Sequence, residues 1–391
     1  MKSRKLFIVV IILLFGGSVF AQFRSSSDSI HSMSLLFAGD IMGHMPQIYA
    51  AYDTTTRDYR FDETFRYVKP VFAAYDFVIA NLETTLAGKP YSGYPQFSSP
   101  DALALACKHA GISCLATANN HCCDRGKKGL VRTISTLDSL GILHFGTYSD
   151  SSERNLRSPV IFKKNNIQVA LYNYTFSTNG IPVPEPLVVN FIDTTLIARD
   201  IAKALAMHAD KIIIFVHWDN EYQSFPDINQ KLIAAFCFSK GADIIIGSHP
   251  HVIQPAIWEK DSVQGRDKVV VYSLGNYVSN QRKSRTDGGM MTGLILQKEN
   301  GKTVVKQFGH YLTWVYTPVE DNRKKYYILP CSLVENDSAF FKTHAQYDSM
   351  KTYMNDARKF LDTNNVNEKE YIFIKEKWEQ QLLKQNELNF K

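Results

Sequence analysis

The sequence predicts a layered α/β fold built as one large domain or two ordinary ones. Short apolar runs alternate with amphipathic helical patterns along most of the chain. Five of those runs end in polar residues, and open α/β sheets bind ligands beyond the carboxyl ends of their strands. The 391 residues are 45% hydrophobic, which provides enough apolar side chains for a sizeable core.

The N-terminus has the three-part pattern of a secretory signal peptide. Three basic residues among the first five precede the apolar run Leu6–Phe15, and small residues then lead to Ala21. We therefore predict a signal peptide over residues 1–21, cleavage after Ala21, and a periplasmic or extracellular mature chain. The alternative is an uncleaved N-terminal anchor, although the run is shorter than the roughly 20 residues that a spanning helix needs.

Five predicted strands end in side chains that can bind a metal. They are Leu35–Gly39 before Asp40 and His44, Phe77–Ala80 before Glu83, Ile112–Ala118 before Asn120 and His121, Ile212–Val216 before His217, and the run from Gly241 to Gly247 before His249 and His251. Asp, Glu, Asn and His suit Zn²⁺, Mn²⁺ or Fe better than thiolate chemistry does. Pro250 stiffens the last loop because its φ is fixed. Two histidines in a turn could be a coincidence, but five polar strand ends favour a metal site.

Helical patterns fill the intervals between these strands. They cover Glu63–Tyr75, Asp101–His109, Gly126–Leu140, Leu196–His208 and Ile228–Lys240. Met45–Asp62 shows no periodicity and is expected to be irregular. Two hairpins interrupt the alternation and are expected as antiparallel additions: Val160–Phe162 with Ile167–Tyr174, and Met290–Gln297 with Thr303–Phe308. The alternation by itself also allows a single doubly wound sheet.

The C-terminal part of the chain differs in composition from the rest. From Asp337 to Lys391 it has charged helical patterns interspersed with aromatic residues. These patterns predict a helical extension over 337–391, following a main domain over 33–318. The aromatic residues include Phe340, Tyr347, Tyr353, Phe360 and Trp378. We expect them to dock on the main domain; a partner-binding face is the alternative.

Charge and cysteine content exclude some classes of function. The formal charge of +6 is modest, and no basic cluster with interleaved aromatics predicts a nucleic-acid surface. A mild excess of base still suits an acidic polymer. The six cysteines lie mostly within helix and strand patterns, which predicts buried free thiols rather than disulfides. Cys122 and Cys123 follow His121 and are alternative soft ligands, but packing is favoured because the neighbouring ligands are oxygen and nitrogen donors.

Six ordered motifs give the chain a resemblance to a known family. They are Gly39-Asp40-Ile41-Met42, Ala80-Asn81-Leu82-Glu83, Ala118-Asn119-Asn120-His121 with Asp124-Arg125-Gly126, His217-Trp218 with Glu221-Tyr222, Gly247-Ser248-His249-Pro250-His251, and Tyr272-Ser273-Leu274-Gly275-Asn276-Tyr277. From Leu35 to Val278 the chain resembles the bacterial capsule-biosynthesis CapA, or poly-γ-glutamate biosynthesis, proteins. These are a branch of the calcineurin-like metallophosphoesterases. The resemblance implies a four-layer metallo-dependent phosphatase-like αββα sandwich.

The resemblance also implies roles for the polar strand ends. Asp40 and Asn120 would be metal ligands, Glu83 would stand in the position of a bridging Asp, and His121 would be the general acid. His217, His249 and His251 would complete the shells of two divalent ions, Mn, Zn or Fe. In two respects the chain departs from the pattern. Met42 replaces a histidine, so that His44 is either a ligand or a loop cap, and the longer Glu83 leaves a single ion as an alternative.

The function implied by the resemblance is that of an exported metal-dependent hydrolase or transferase with a metal-activated nucleophile. Its substrate would be an anionic envelope polymer or its precursor, attacked at a phosphoester or an amide. A membrane-associated synthesis complex is an implied partner. The alternatives are a non-catalytic factor for assembly or export of the same polymer and a secreted phosphodiesterase.

Three features in or near the motifs suggest contacts around the site. Arg125, beside His121, is expected to bind an anionic group, whereas Arg282 and Arg285 are expected to be solvated. Tyr91–Pro100 is rich in turn residues and aromatics, which suits either a substrate-contacting loop or a structural one. Asn276 is expected to close the site by hydrogen bonding.

Overall fold

The computed structural model describes residues 30–261 and 265–372. The predicted signal peptide and Trp378 lie outside these residues. The strands are β1 His31–Ile41, β2 Tyr52–Asp53, β3 Asp58–Tyr59, β4 Phe77–Leu82, β5 Cys114–Ala116, β6 Leu143–Phe145, β7 Thr147–Tyr148, β8 Val160–Lys164, β9 Ile167–Thr175, β10 Val188–Val189, β11 Lys211–His217, β12 Ile244–Ser248, β13 Ala256–Lys260, β14 Asp267–Val271, β15 Asn276–Val278, β16 Gly288–Glu299, β17 Lys302–Tyr316, β18 Val319–Glu320, β19 Arg323–Lys324, β20 Tyr327–Pro330 and β21 Lys369–Glu370. The helices are α1 Met45–Ala51, α2 Lys69–Phe72, α3 Asp101–Ala110, α4 Gly126–Ser139, α5 Ser151–Arg157, α6 Thr194–Ala206, α7 Ile228–Lys240, α8 Cys331–Val334 and α9 His344–Asn364, with 3₁₀ turns at Asp62–Phe65 and Ser338–Phe340.

Two mixed sheets form the centre of the molecule. The larger sheet has the strand order β20-β17-β16-β1-β4-β5-β6, with β15 beside β1 and β21 beside β17. The smaller sheet has the order β13-β14-β12-β11-β9-β8. In each sheet a parallel centre continues into antiparallel strands, and β8–β9 and β16–β17 are the two predicted hairpins. The predicted antiparallel additions are therefore confirmed.

The sheets pack face to face with helices on both outer faces. A central core of side chains from both sheets includes Phe37 of β1 and Phe215 of β11, whose ring centroids lie 6.5 Å apart. A second core packs α3 and α4 on the larger sheet, and a third packs α6 and α7 on the smaller one. This arrangement confirms the four-layer αββα sandwich over the single doubly wound sheet.

The inner strands are buried on both faces, which explains their continuous apolar runs. In β1, Leu35 and Phe37 point into the central core, whereas Leu36 and Ala38 point into the outer one. Successive side chains of a strand alternate between its faces, so a strand covered on both sides needs apolar residues at every position. Burying each large side chain contributes roughly 1.5–3 kcal/mol.

Four predicted helices are confirmed within two residues, and the helix predicted over Glu63–Tyr75 is wrong. That segment contains a 3₁₀ turn and the short α2 instead. Pro70 lacks the amide hydrogen that a continuous helix would use, and its ring clashes with the carbonyl four residues earlier. The apolar residues recur at helical spacing, but Pro70 prevents a continuous helix over this segment.

The segment Met45–Asp62 was expected to be irregular, and this prediction is wrong for much of it, because it contains α1 and the β2–β3 hairpin. Pro46 occupies the first turn of α1, where its missing amide hydrogen costs nothing. The amide of His44 donates to Oε1 of Gln47 at 2.9 Å and closes the start of the helix. Seven residues are too few for a helical period to stand out in the sequence.

The described part of the C-terminal extension packs against the sandwich. Met350, Tyr353 and Leu361 of α9 lie in the central core, and β21 pairs with β17. Phe340, Tyr347 and Phe360 pack against the same core. Docking of the described aromatics on the main domain is therefore confirmed, while the boundaries 33–318 and 337–391 stay predictions. No helix in residues 30–261 or 265–372 is long and apolar enough to cross a membrane.

Candidate metal centre

Five strands deliver polar side chains to one edge of the sandwich. Asp40 lies near the end of β1, Glu83 directly follows β4, and Asn120 follows β5, all in the larger sheet. The smaller sheet contributes His217, the last residue of β11, and the loop after β12 contributes two histidines. Because parallel strands end at a common edge, the two packed sheets bring these residues together.

The converging side chains form two groups whose ligand atoms could hold a cation. The first group is Asp40, Glu83 and His217, and the second is Glu83, His249 and His251. Within each group the ligand atoms lie within 4.8 Å of one another, and all five residues are buried. Glu83 belongs to both groups. Its carboxylate therefore lies where one side chain can serve two neighbouring cation sites.

The Glu83 carboxylate supplies a test of whether a cation fits. Glu83 is fully buried, and neither of its oxygens has a hydrogen-bond partner among the described residues. Burial and the neighbouring charge of Asp40 raise the pKa of Glu83 well above its ordinary value. A buried carboxylate without a donor is unfavourable unless it is protonated or meets a positive charge. The donor set of carboxylates, imidazoles and an amide oxygen fits Zn²⁺, Mn²⁺ or Fe.

The histidines offer nitrogen atoms in the form that binds metals. His217 Nε2 lies 2.9 Å from Oδ1 of Asn120 and 3.1 Å from Nδ1 of His249. Burial, followed by the mutual repulsion of the imidazoles, holds the pKa of both His217 and His249 well below the usual range. Neutral imidazole is the ligand form of histidine, so these two side chains need no deprotonation before they bind a cation.

Outer hydrogen bonds hold these ligands in place. Nδ1 of His217 lies 2.9 Å from Oγ of Ser248, and Nδ2 of Asn81 donates to Oδ1 of Asp40 at 2.8 Å. Nδ1 of His251 lies 3.2 Å from Oδ2 of Asp40. Such partners set the ring orientation and raise ligand basicity. Ser248 and Asn81 belong to the quoted motifs, but their role is not predictable from the sequence, since neither residue type by itself indicates one.

The loop that carries the last two histidines has a strained backbone. His249 and His251 adopt φ values of 98° and 58°, in the left-handed region that residues with a Cβ atom rarely occupy. Pro250 lies between them with its fixed φ. Strain of this kind persists only where the surroundings impose it, and it concentrates at functional sites. The i, i+2 spacing thus corresponds to two imidazoles held on one side of a rigid turn.

His121 lies beside the ligand groups without belonging to them. Its Nδ1 is 2.7 Å from Oδ2 of Asp124, which also accepts the amide hydrogen of Phe97 at 2.7 Å. The ring of Phe97 packs edge-on against His121, with centroids 4.6 Å apart. The residue that orients His121, Asp124, was quoted as part of a motif and received no role. Its i, i+3 spacing from His121 was the available signal.

His44 and Arg125 lie outside both ligand groups. Nδ1 of His44 lies 3.3 Å from the amide nitrogen of Asn280, and its side chain is at the start of α1, where a loop cap would be. Burial lowers the pKa of His44 to about 4. Arg125 is half-buried, and its guanidinium lies 3.5 Å from Oγ of Ser92. The structure does not bring either side chain into contact with the described ligand atoms.

The neighbouring loops support the site from outside. Phe97, in the Tyr91–Pro100 loop, packs on both His121 and His44, whereas Tyr94 is 75% exposed. Nδ2 of Asn276 donates to the carbonyl of Thr286 at 2.8 Å, so Asn276 fastens the following loop rather than touching the ligands. All six cysteines are buried free thiols, as expected, and neither ligand group contains one.

The chain is similar to several known proteins. The family model described as "Bacterial capsule synthesis protein PGA_cap" matches residues 34–281, a range that contains all five ligand-bearing strand ends. The capsule biosynthesis protein CapA of Bacillus anthracis is 28% identical over 286 residues, which are 70% of this chain and 66% of that protein, slightly under two thirds. The PGA biosynthesis protein CapA of Bacillus subtilis (strain 168) is 28% identical over 306 residues, 74% of this chain and 75% of that protein. Among solved structures, the calcineurin-like phosphoesterase YfkN from Bacillus subtilis overlaps 85% of this chain and 99% of that chain, with 14% identity and a TM-score of 0.45.

Proposed function

The chain belongs to the bacterial capsule synthesis protein family PGA_cap, and from this membership we propose that it is an exported, metal-dependent hydrolase or transferase. Its substrate is an anionic envelope polymer, or a precursor of one, in capsule or poly-γ-glutamate synthesis. Two similar proteins bear the names of these two processes. Export rests on the signal-peptide pattern of residues 1–21.

One observation carries the catalytic part of the proposal. The Glu83 carboxylate is shared by both ligand groups and has no hydrogen-bond partner among the described residues. Such a side chain is unfavourable in a merely structural role, because its burial is uncompensated. Asp40 and His217 would hold one divalent ion, His249 and His251 a second, with Glu83 between them. Two bound ions would supply activation of the nucleophile and neutralisation of charge on the attacked group.

The chain's own residues orient the reaction. Asp124 accepts a hydrogen bond from Nδ1 of His121, so Nε2 is the nitrogen left to donate to the leaving group, from a ring with a proton on each nitrogen. Phe97 covers one side of the ring and limits access of water. Phe176 packs on His249 with ring centroids 4.6 Å apart. The half-exposed ring of Phe176 leaves an opening for the substrate.

A substrate screen tests this function. Purified mature protein is stripped with a chelator, reloaded with Mn²⁺ or Zn²⁺, and assayed on phosphodiesters and on γ-glutamyl amides, with His217→Ala as the metal-deficient control. We expect turnover of one bond class that requires the added metal and is lost in His217→Ala. Turnover of phosphodiesters alone would favour the secreted phosphodiesterase. Metal binding without turnover of either class would favour the non-catalytic assembly factor.

Export has its own test. N-terminal sequencing of material recovered outside the cytoplasm should give a chain that starts at Gln22. An intact Met1 in the recovered protein would contradict cleavage and favour the uncleaved anchor.

A further inference from the structure

Two basic segments that are far apart in sequence meet beside the metal centre. The first contains Arg282, Lys283 and Arg285, and the second, on the β18–β19 hairpin and just after it, contains Arg323, Lys324 and Lys325. Both approach the ring of Tyr326, with the guanidinium of Arg282 at 5.8 Å and Nζ of Lys324 at 5.1 Å from its centroid. We call these six residues the basic rim. Arg282 is therefore part of a cluster and not an isolated solvated side chain.

The cations of the basic rim have no carboxylate within 4.0 Å in the described parts of the chain. Some surface cations elsewhere are paired; Arg157, for example, contacts both Asp138 and Glu153. Burial and the positive charge of Arg282 lower the pKa of Lys324, so the two cations oppose each other. Bringing like charges together is unfavourable by itself, and an anionic ligand would offset that cost.

The second basic segment borders a groove large enough for a chain molecule. Two cavities of about 500 and 570 Å³ flank α1 and share Ala50, Tyr52 and Arg323 in their linings. Tyr52 and Tyr59 pack together with ring centroids 5.1 Å apart, and Tyr59 packs edge-on against Tyr91 at the same distance. Tyr52 and Tyr59 thus form a tyrosine wall in the same cavity lining as Arg323 and Lys324.

The acidic residues of the groove do not cancel the basic rim. Asp53 lies 3.7 Å from the guanidinium of Arg60, and Glu63 pairs with Arg66. The third, Asp321, precedes Arg323 in the hairpin turn. Two of the three carboxylates are thus neutralised by cations that are not members of the rim. The rim therefore keeps its positive charge.

Two sets of contacts connect the basic rim to the metal centre. Oδ1 of Asn280 accepts a hydrogen bond from Nζ of Lys324 at 3.3 Å. The backbone amide of Asn280 donates to Nδ1 of His44, also at 3.3 Å. On the other side, Nζ of Lys283 lies 5.1 Å from the ring of Tyr222, whose centroid is 6.1 Å from that of His251. The rim thus begins next to a candidate metal ligand and ends in the groove beside α1.

We propose that the basic rim and the adjoining groove form an exosite that binds a stretch of linear polycarboxylate chain and leads it into the metal centre. The identity of the partner rests on the proposed function; the location of the surface rests on the contacts above. Carboxylates would lie on the cations, and the aliphatic parts of the chain on the tyrosine wall. A concave groove suits a single chain better than a flat lipid surface. The tyrosine rings are packed on one another, which favours a chain without bases to stack.

Binding of a defined-length, γ-linked polyglutamate to the mature, metal-loaded protein tests the exosite. The probe is fluorescently labelled, binding is followed by anisotropy, and polyglutamine of equal length is the uncharged control. The test variant is Lys283→Gln/Lys324→Gln/Lys325→Gln. The matched control is Lys128→Gln/Lys163→Gln/Lys306→Gln, which removes three exposed lysines that lie outside the rim and have no carboxylate partner in the described parts. Metal content and thermal stability verify that all three proteins are folded.

We expect the rim variant to bind the polyglutamate about tenfold more weakly at low ionic strength, and the control variant to bind it like the wild type. The difference should shrink as salt is added, because exposed charges are screened. Equal binding by the rim variant and the wild type would overturn the exosite and leave the proposed function intact. Tighter binding of single-stranded DNA, or of vesicles containing anionic lipid, than of polyglutamate would overturn it in favour of those partners. If the metal-loaded wild type binds the polymer but shows no metal-dependent turnover, the result would contradict the proposed function and leave the exosite intact.

Discussion

A cluster of ionisable side chains is buried at each end of β11 and β12. The clusters differ in whether their carboxylates have hydrogen-bond and ion-pair partners. At the amino end, Nζ of Lys211 lies 3.3 Å from Asp243 and 3.4 Å from Asp267. Arg266, Trp258 and two backbone amides complete the hydrogen bonds of both carboxylates. At the carboxyl end, Glu83 is equally buried, and its oxygens have no hydrogen-bond partner among the described residues; the nearest imidazole nitrogens, on His217 and His251, lie 3.6 and 3.8 Å from Oε1. The two clusters thus lie at opposite ends of the same strand, β11, which begins at Lys211 and ends at His217.

The difference separates a structural network from a binding site. Buried charges that are paired and fully hydrogen-bonded rigidify a fold, whereas removing one partner leaves an uncompensated charge. The amino-end cluster already contains its cations. The carboxyl-end cluster has carboxylates and neutral imidazoles but no cation of its own, so a metal ion is the partner that its donors fit. Four substitutions test this contrast, ordered by their expected effect on the free energy of unfolding.

Lys211→Met should have the largest effect. It leaves Asp267 without its cation and Asp243 with Arg266 alone, and breaking a buried ion pair typically costs about 3–5 kcal/mol. Urea denaturation measures the loss, and the metal content of the folded protein should not change. Lys298→Met, which removes the partly exposed pair with Asp210, is the matched control and should cost under about 1 kcal/mol. A similar loss in both variants would remove the contrast between buried and exposed pairs.

His249→Ala should abolish most of the stabilisation that depends on metal. A ligand that binds only the native state at 100 to 1,000 times its dissociation constant adds roughly 3–4 kcal/mol. Elemental analysis and thermal unfolding with and without chelator should show that the variant loses both bound metal and the response to added metal. His251→Ala should behave alike. Full metal occupancy in both variants would show that the carboxyl-end cluster is not the metal site.

Glu83→Gln should have an effect of opposite sign in metal-free protein. It removes a buried charge without a partner, and we expect chelator-treated protein to gain about 1–2 kcal/mol at neutral pH. Because the pKa of Glu83 is raised in the folded state, its destabilising effect grows as pH rises above the ordinary pKa of glutamate. The gain should therefore disappear in acid. Stability curves against pH test this, and a loss of stability at neutral pH would mean that Glu83 has a compensating partner without metal.

His121→Ala should change the free energy of unfolding least. It should lower activity mainly on substrates whose leaving group needs a proton. Loss of one general acid typically lowers the rate about 10²–10⁴-fold, with a smaller loss for substrates whose leaving group needs no proton. Metal content should stay near that of the wild type, whereas Asn120→Ala should lower it. Parallel assays of both variants on an activated and an unactivated substrate make the comparison. Equal metal loss in both would make His121 a ligand, and unchanged activity in both would favour the non-catalytic class.

Local patterns predicted most of the ligand cluster. The strands before Asp40, Glu83 and His217 are continuous apolar runs, because they are covered on both faces, and their polar ends are therefore conspicuous. The helix α7 was predicted with the boundaries that the structure has, since Asp227 caps its start and Gly241 ends it in a left-handed conformation. Where local signals agree with the packing, the sequence is sufficient.

Other features arose from contacts between distant segments. The partners of His217 and Asp40, Ser248 and Asn81, lie on neighbouring strands, and nothing in their own segments distinguishes them from ordinary polar residues. Pro70 ended a helix that the apolar pattern had predicted. In the same way, the basic rim requires two segments to meet at Tyr326, and neither is notable by itself.

The sequence by itself determined the layered α/β class, the family and the residues that end the strands. These depend on side-chain periodicity and on motifs that are contiguous in the chain. Packing of remote segments leaves both oxygens of Glu83 without a hydrogen-bond partner among the described residues, gives Lys211 two carboxylates, and brings two basic segments together at Tyr326. Compensation of a charge depends on which atoms of remote segments lie within a few ångströms, and that distance is set by packing of the two sheets rather than by position in the chain.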